Sequence, residues 1–224
     1  IELLEWGYTY VALGGLARAK TTEILEILQA IAPSLRPETD LHLFGVARDR
    51  EKNEMEIFRK LGVTSFDSAS YLRRAWMSAT TNYFTEDGGR YGALRISPVY
   101  ASSPRVKTIV ADGIATIEQL QKLEREALLA VRDYDRGDLD LETTLNTLLE
   151  IDRLEEYNYD QHKELYRKVL TDMPWKKCTC EVCRQIGVEV IIFRGNDRNR
   201  RRGFHNTYVF YKRFRKLIEG SKEK

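Results

Sequence analysis

Tyr8-Thr9-Tyr10-Val11-Ala12-Leu13-Gly14-Gly15 is a β-prone run that ends on paired glycines, and its continuation decides the fold. An amphipathic segment follows from about Thr22 to Ala32, with Ile24, Leu25, Ile27, Leu28 and Ile31 at helical spacing. Thr21 or Thr22 is the natural N-cap and Pro33 marks the exit. Leu41–Val46 is a second apolar run, and a helix is predicted from about Glu51 to Leu61, closed by Gly62. Val63–Phe66 is a third short strand ending at Asp67, after which Ser68–Trp76 resumes helical character. Strand and helix alternating at intervals of about 25 to 30 residues describe parallel βαβ units. Three such units cannot close a barrel but fit the last part of a (β/α)8 TIM barrel, so an N-terminal half preceding Ile1 is expected.

Beyond this rhythm, Asp87-Gly88-Gly89 reads as a turn and Tyr100–Pro104 as loop. A helical block follows over Thr116–Val131, Leu141–Tyr157 and Tyr159–Leu170, broken by Asp135-Arg136-Gly137-Asp138 and a Tyr-Asn-Tyr junction. Val188–Phe193 reads as a strand, Arg194–Arg202 as an Arg-rich loop, and a last helix is expected from about Asn206 to Ile218. The expected organisation is three segments: 1–80 with the β/α units, 81–175 with the connecting loop and helical insertion, and 176–224 with the Arg-rich loop and final helix.

All three cysteines lie in Cys178-Thr179-Cys180-Glu181-Val182-Cys183, and His205 follows. Three thiolates and an imidazole make a closed tetrahedral shell for Zn²⁺, with no open position for water or substrate. The chemistry of this set is structural: it folds a segment rather than performing a reaction. A disulfide with one leftover thiol fits less well, since nothing in the chain reads as secreted and a reducing compartment favours metal. His42, inside a strand, and His162, on a helix, read as structural residues.

The composition bounds the class. Of the 224 residues, 42% are hydrophobic and 31% charged, which suits a core-forming cytoplasmic chain, and no signal peptide is visible. No apolar run approaches the ~20 residues that cross a bilayer, so a membrane partner is not expected. Net charge is only +2, but its distribution is uneven. Arg194, Arg198, Arg200, Arg201 and Arg202 fall in nine residues, and Lys212, Arg213, Arg215 and Lys216 follow. Arginine forks suit phosphate oxygens, so this stretch is the candidate nucleic-acid contact, with a solvated charged loop as the bland alternative.

In a parallel barrel, chemistry gathers where strands end. Those positions here are Leu13-Gly14-Gly15-Leu16-Ala17, Phe44-Gly45-Val46-Ala47 and Phe66-Asp67-Ser68-Ala69. Paired glycines let backbone approach a flat ligand, Phe44 offers a stacking face, and Asp67 presents a carboxylate suited to act as nucleophile or base. Each signal alone is weak: a Gly-Gly is often only a turn, and Asp67 could simply cap the next helix.

Taken together with the cysteine hexapeptide, these pieces resemble the guanine transglycosylases, which exchange guanine in nucleic acid for a 7-deazaguanine. The resemblance rests on Tyr10–Ala17, Leu43–Val46, Gly62–Ala69, and Cys178-x-Cys180-x-x-Cys183 with His205, covering about residues 5–76 and 176–218. It does not extend to the helical block. The stretch from Phe193 to Asn206 looks most like the branch that modifies DNA rather than tRNA. The resemblance implies that Asp67 is the nucleophile and that the Gly14, Gly15 and Leu16 loop contacts the base through its backbone. It further implies that Phe44 packs on the base and that Cys178, Cys180, Cys183 and His205 bind structural zinc. A preQ0-type base in DNA is the implied partner, with the same exchange on tRNA or a silent zinc-stabilised nucleic-acid-binding subunit as alternatives. A homodimer is among the assemblies the resemblance allows. The general acid/base Asp of those enzymes belongs to the N-terminal half and has no counterpart in this chain.

Overall fold

A computed structural model describes residues 2–46, 54–155 and 159–220. The chain is mixed α/β, mostly helical, with small sheets, and it divides into two units. One comprises residues up to 71 with those from 210 onward; the other comprises residues 72–209. Where the sequence pattern suggested three segments, the helical block and the cysteine hexapeptide share one core in the second unit.

The first unit opens with α1 (Glu2–Glu5) and holds a parallel sheet of β1 (Tyr10–Leu13), β2 (Asp40–Leu43) and β3 (Val63–Phe66), in that order. Between the strands run α2 (Thr21–Ile31) and α3 (Glu54–Lys60), the crossovers that parallel pairing requires. Helix α2 begins one residue earlier than the pattern suggested, and the Glu23 carboxylate accepts from the Lys20 amide at 2.8 Å. Residues 51–53 of the expected Glu51–Leu61 helix lie outside the described residues. Gly62 does follow α3, with φ of 96°, a left-handed exit that glycine adopts without a Cβ clash.

Period-two alternation sorts the sheet into two faces. Leu41 and Leu43 of β2, with Val63 of β3, pack against Ile24, Leu28 and Phe58, all buried, and against Leu16 and Val46. Burying such aliphatic side chains stabilises by about 1.5–3 kcal/mol each. The opposite face carries Tyr10, His42 and Ser65. Register confirms the alignment: Ala12 lies beside His42, and His42 beside Ser65. Phe210 and Phe214 complete this unit around Phe66, with ring centroids 6.3 and 4.8 Å away.

The second unit takes in α4 (Ser70–Met77) from Leu72 onward and continues with the hairpin β4 (Tyr83–Phe84) and β5 (Arg90–Tyr91), turned at Asp87-Gly88-Gly89 as expected. Strand β6 (Leu94–Arg95) leads to α5 (Pro104–Ala111), α6 (Ile117–Arg136), α7 (Leu141–Glu155) and α8 (Tyr159–Asp172). Helix α6 starts at a true capping box, in which Thr116 Oγ1 accepts from Gln119 N and Gln119 reaches back to the Thr116 amide. Residues 157 and 158 of the expected Tyr-Asn-Tyr junction lie outside the described residues. Short helices α9 (Pro174–Lys177) and α10 (Glu181–Ile186) bracket Cys178 and Cys180, and Cys183 lies within α10.

Two expectations fail here. The Val188–Phe193 run is 3₁₀ helix through Ile191, and only β7 (Ile192–Phe193) is extended, pairing parallel with β6. The Arg-rich stretch is not a loop: α11 runs unbroken over Gly195–Gly220 and contains Arg198, Arg200, Arg201 and Arg202. Arginine is a good helix former, and buried bonds made by Arg202 hold the first turns in place.

Candidate functional site

Asp67 stands just past the end of β3. Its backbone amide donates to Leu43 O at 3.3 Å, as Phe44 N does to Leu13 O at 3.0 Å, so all three strand ends are tied together. The carboxylate does not cap α4. Its Oδ1 accepts from the Gly45 amide at 2.6 Å, and the side chain is 62% exposed. Gly45 has φ of 72°, and a Cβ there would meet Ala17 Cβ at 2.9 Å; only glycine turns this amide toward the carboxylate without strain.

Around it, the sequence-predicted residues fall where a flat ligand could reach. Gly14 and Gly15 face open space: a Cβ on either would meet nothing within 4 Å. Phe44 is exposed and meets His42 edge-on at 4.7 Å. Leu16 differs, since its side chain is buried in the core, leaving only its backbone toward the loop.

One group beside Asp67 escaped the sequence reading. His42 Nε2 lies 3.8 Å from Asp67 Oδ1, His42 Nδ1 lies 2.8 Å from Ser65 Oγ, and Ser65 Oγ lies 3.4 Å from Tyr10 OH. The available signal was the two-residue period, which sets His42 before Phe44 and Ser65 before Asp67 on one sheet face.

The cysteine cluster forms in the second unit. His205 Nδ1 lies 3.5 Å from Cys178 Sγ and 3.4 Å from Cys180 Sγ and Cys183 Sγ. The four ligand atoms fall within 4.8 Å of one another, and Cys180, Cys183 and His205 are buried. His205 Nε2 lies 2.8 Å from Phe84 O, where only a ring N–H can bond, so a neutral ring turns its Nδ1 lone pair to the sulfurs. Asn206 secures that carbonyl's strand, donating to Asn82 O at 2.8 Å and accepting from Phe84 N at 3.3 Å. Tyr83 stacks on the imidazole at 3.9 Å, and its hydroxyl meets Cys183 Sγ at 3.3 Å. Neither Tyr83 nor Phe84 has a sequence signal, since both lie about 100 residues away.

The protonation conflict in this cluster also fits a cation. Hydrogen bonds from Cys180 and Cys183 drive the Cys178 sulfur toward thiolate, while its bonds with Cys178 and Cys180 push the Cys183 thiol the other way. Burial works against the His205 imidazolium, yet hydrogen bonds to Cys178 and Cys180 lift its pKa to about 9. A divalent ion would let all three sulfurs ionise beside a neutral ring, and the donor set suits Zn²⁺.

The arginines divide. Arg194 pairs with Glu124, and Arg198 with Glu189 at 2.6 Å, both side chains half-buried. Arg200 and Arg201 are exposed on α11 and make no ion pair among the described residues. Arg202 corrects the expectation of phosphate contact. It is fully buried, donating to Val190 O and Ile192 O at 3.0 Å, Ala75 O at 2.7 Å and Asn199 Oδ1 at 2.6 Å. Burial, then repulsion from Arg95, lowers its pKa to about 9, still a cation at neutrality. Among the described residues, no helix is long and apolar enough to cross a membrane.

An exposed carboxylate at a parallel strand end and a Cys3His cluster that could hold a metal ion mark an α/β protein. No protein-family model matches the chain. It is, however, 40% identical over 213 residues to a protein of Salmonella montevideo named DNA-guanine transglycosylase, an alignment that takes in 94% of this chain. The chain is similar to that relative over nearly all of its own length and spans half the length of the relative.

Proposed function

We propose that the chain supplies the nucleophile and the zinc-stabilised part of an enzyme exchanging guanine for a 7-deazaguanine in DNA. The observation that carries this reading is Asp67, whose Oδ1 is held by the Gly45 amide while the carboxylate stays open to solvent. The free oxygen, Oδ2, attacks C1′ of the deoxyribose. The C1′–N9 bond breaks, and guanine leaves with the bonding electron pair. An acid outside this chain protonates the leaving base. The deprotonated 7-deazaguanine then attacks C1′ and releases the Asp67 carboxylate, so two displacements retain the anomeric configuration.

In this reading β1, β2 and β3 are the last strands of a (β/α)8 barrel, and the Gly14–Gly15 backbone and Phe44 receive the base. Arg200 and Arg201 contact phosphates, adding salt-sensitive affinity without reading sequence. Zinc, held by Cys178, Cys180, Cys183 and His205 Nδ1, supplies a fixed fold and takes no part in the exchange. The target base must leave the stack, at a cost of about a few kcal/mol. Release of labelled guanine by the full-length protein tests the reading. Duplex DNA should exchange, tRNA should not, and Asp67→Asn should abolish release. Exchange on tRNA alone would refute the DNA substrate.

A further inference from the structure

We propose that Tyr10, Ser65 and His42 form a one-way hydrogen-bond relay in which His42 is a positioning residue for Asp67. The proposal rests on the reading of Asp67 as nucleophile and adds to it which oxygen attacks and which displacement the protein assists.

Tyr10, His42 and Ser65 project from the sheet face opposite the apolar core, which Leu41, Leu43 and Val63 already fill. A histidine is not needed to complete that packing. It stands two residues before Phe44, as Ser65 stands two before Asp67.

Tautomer logic gives the direction. His42 Nε2 faces Asp67 Oδ1 at 3.8 Å, and a neutral ring with its proton on Nδ1 would aim a lone pair at that carboxylate. Ser65 Oγ, 2.8 Å from Nδ1, prevents this when its hydroxyl donates to Nδ1 and leaves the proton on Nε2. Tyr10 OH, 3.4 Å from Ser65 Oγ, donates in turn and holds the serine hydroxyl in that role. The chain therefore runs Tyr10 O–H to Ser65 Oγ, Ser65 O–H to His42 Nδ1, and His42 Nε2–H toward Asp67 Oδ1. The last distance is long and shortens as the site fills. Side-chain exposure agrees, at 14% for His42 against 62% for Asp67: the ring is anchored and the carboxylate reachable.

With the Gly45 N–H, Oδ1 then has two donors aimed at it, and among the described residues Oδ2 has none. Oδ2 forms the bond to C1′, and Oδ1 becomes the carbonyl oxygen of the glycosyl ester. In the second displacement the C1′–Oδ2 bond breaks and the carboxylate takes its electron pair. Negative charge returns to the oxygen already facing both donors. The relay thus favours the departure of Asp67 more than its attack.

The test is single-turnover and steady-state exchange on guanine-containing DNA by the zinc-loaded full-length protein, with covalent adduct followed by intact mass. In His42→Leu, adduct breakdown should slow about 10- to 100-fold, less than a lone oxyanion donor would give because Gly45 remains. Adduct should then accumulate, while KM for DNA stays within about threefold. His42→Gln, whose side-chain amide can take the Nε2–H position, should recover to within about fivefold of the native rate. Ser65→Ala should slow breakdown about 3- to 10-fold by freeing the tautomer, and it removes a single oxygen should the leucine variant not fold. Breakdown within twofold of native in both His42→Leu and Ser65→Ala would overturn the relay. So would slow turnover without accumulated adduct. Exchange surviving in Asp67→Asn would instead remove the nucleophile reading beneath it.

Discussion

Replacing Arg202 by methionine keeps the apolar bulk of the side chain and deletes a buried guanidinium with four bonded acceptors. Val190 O, Ile192 O, Ala75 O and Asn199 Oδ1 lose their donors in a site closed to water. An orphaned buried acceptor costs about 1–3 kcal/mol, so even the low end for all four gives about 4 kcal/mol. An opposing effect exists: among the described residues no carboxylate neutralises this guanidinium, and removing it relieves part of a desolvation cost of several kcal/mol. The lost contact with the Phe193 ring, 5.4 Å from the guanidinium carbon, adds about 0.5–2 kcal/mol on the other side. A net loss of about 3–5 kcal/mol follows, a large share of the about 5–15 kcal/mol that holds a domain folded. Arg202→Lys should fall between, since one ammonium cannot span the same fork. Urea unfolding of the zinc-loaded protein reads the loss as a shifted midpoint. DNA affinity per folded molecule should be unchanged. A methionine variant of native stability that binds DNA more weakly would refute the reasoning and return Arg202 to the phosphate surface.

The exposed arginines should behave oppositely. Arg200→Gln with Arg201→Gln should leave stability within about 0.5 kcal/mol of native. It should weaken DNA binding and reduce the salt slope by about 2, as fluorescence anisotropy over a salt series would show. Zinc should be present at one ion per chain by metal analysis, and Cys183→Ser or chelation should unfold residues 72–209, as a lost thermal transition reports. The pH dependence of that site has two signs. In metal-free protein the His205 imidazolium contributes stability that is whole below about pH 6.5 and lost as pH rises through about 9. Zinc binding displaces that proton, so zinc affinity measured by competition should rise at least about tenfold per pH unit over this window. Gly45→Ala combines a left-handed φ with a 2.9 Å contact to Ala17, and should cost about 1–3 kcal/mol and slow exchange by displacing the amide from Asp67.

Much of the first unit was legible because its signals are local. Leucines and isoleucines at 24, 25, 28 and 31 fit one helix face, Gly62 ends α3, and short apolar runs sit at crossover spacing. The Cys3His cluster was legible because three cysteines fall within one hexapeptide. What failed depended on distant contacts. Val188–Ile191 has β-branched propensity, yet it is wound into 3₁₀ helix against the shared core, where burial outweighs propensity. Arg194–Arg202 reads as a phosphate-contacting loop until Val190, Ile192 and Ala75 are seen to surround Arg202. His42 read as structural because the partners that give it a task, Ser65 and Asp67, are more than 20 residues away.

The most direct test of the account is the intact mass of the full-length protein after incubation with guanine-containing duplex DNA and denaturation, with tRNA as a parallel sample. The account requires a glycosyl adduct on DNA that maps to Asp67 and is absent from Asp67→Asn. An adduct on another residue, or base exchange that continues without Asp67, would contradict it.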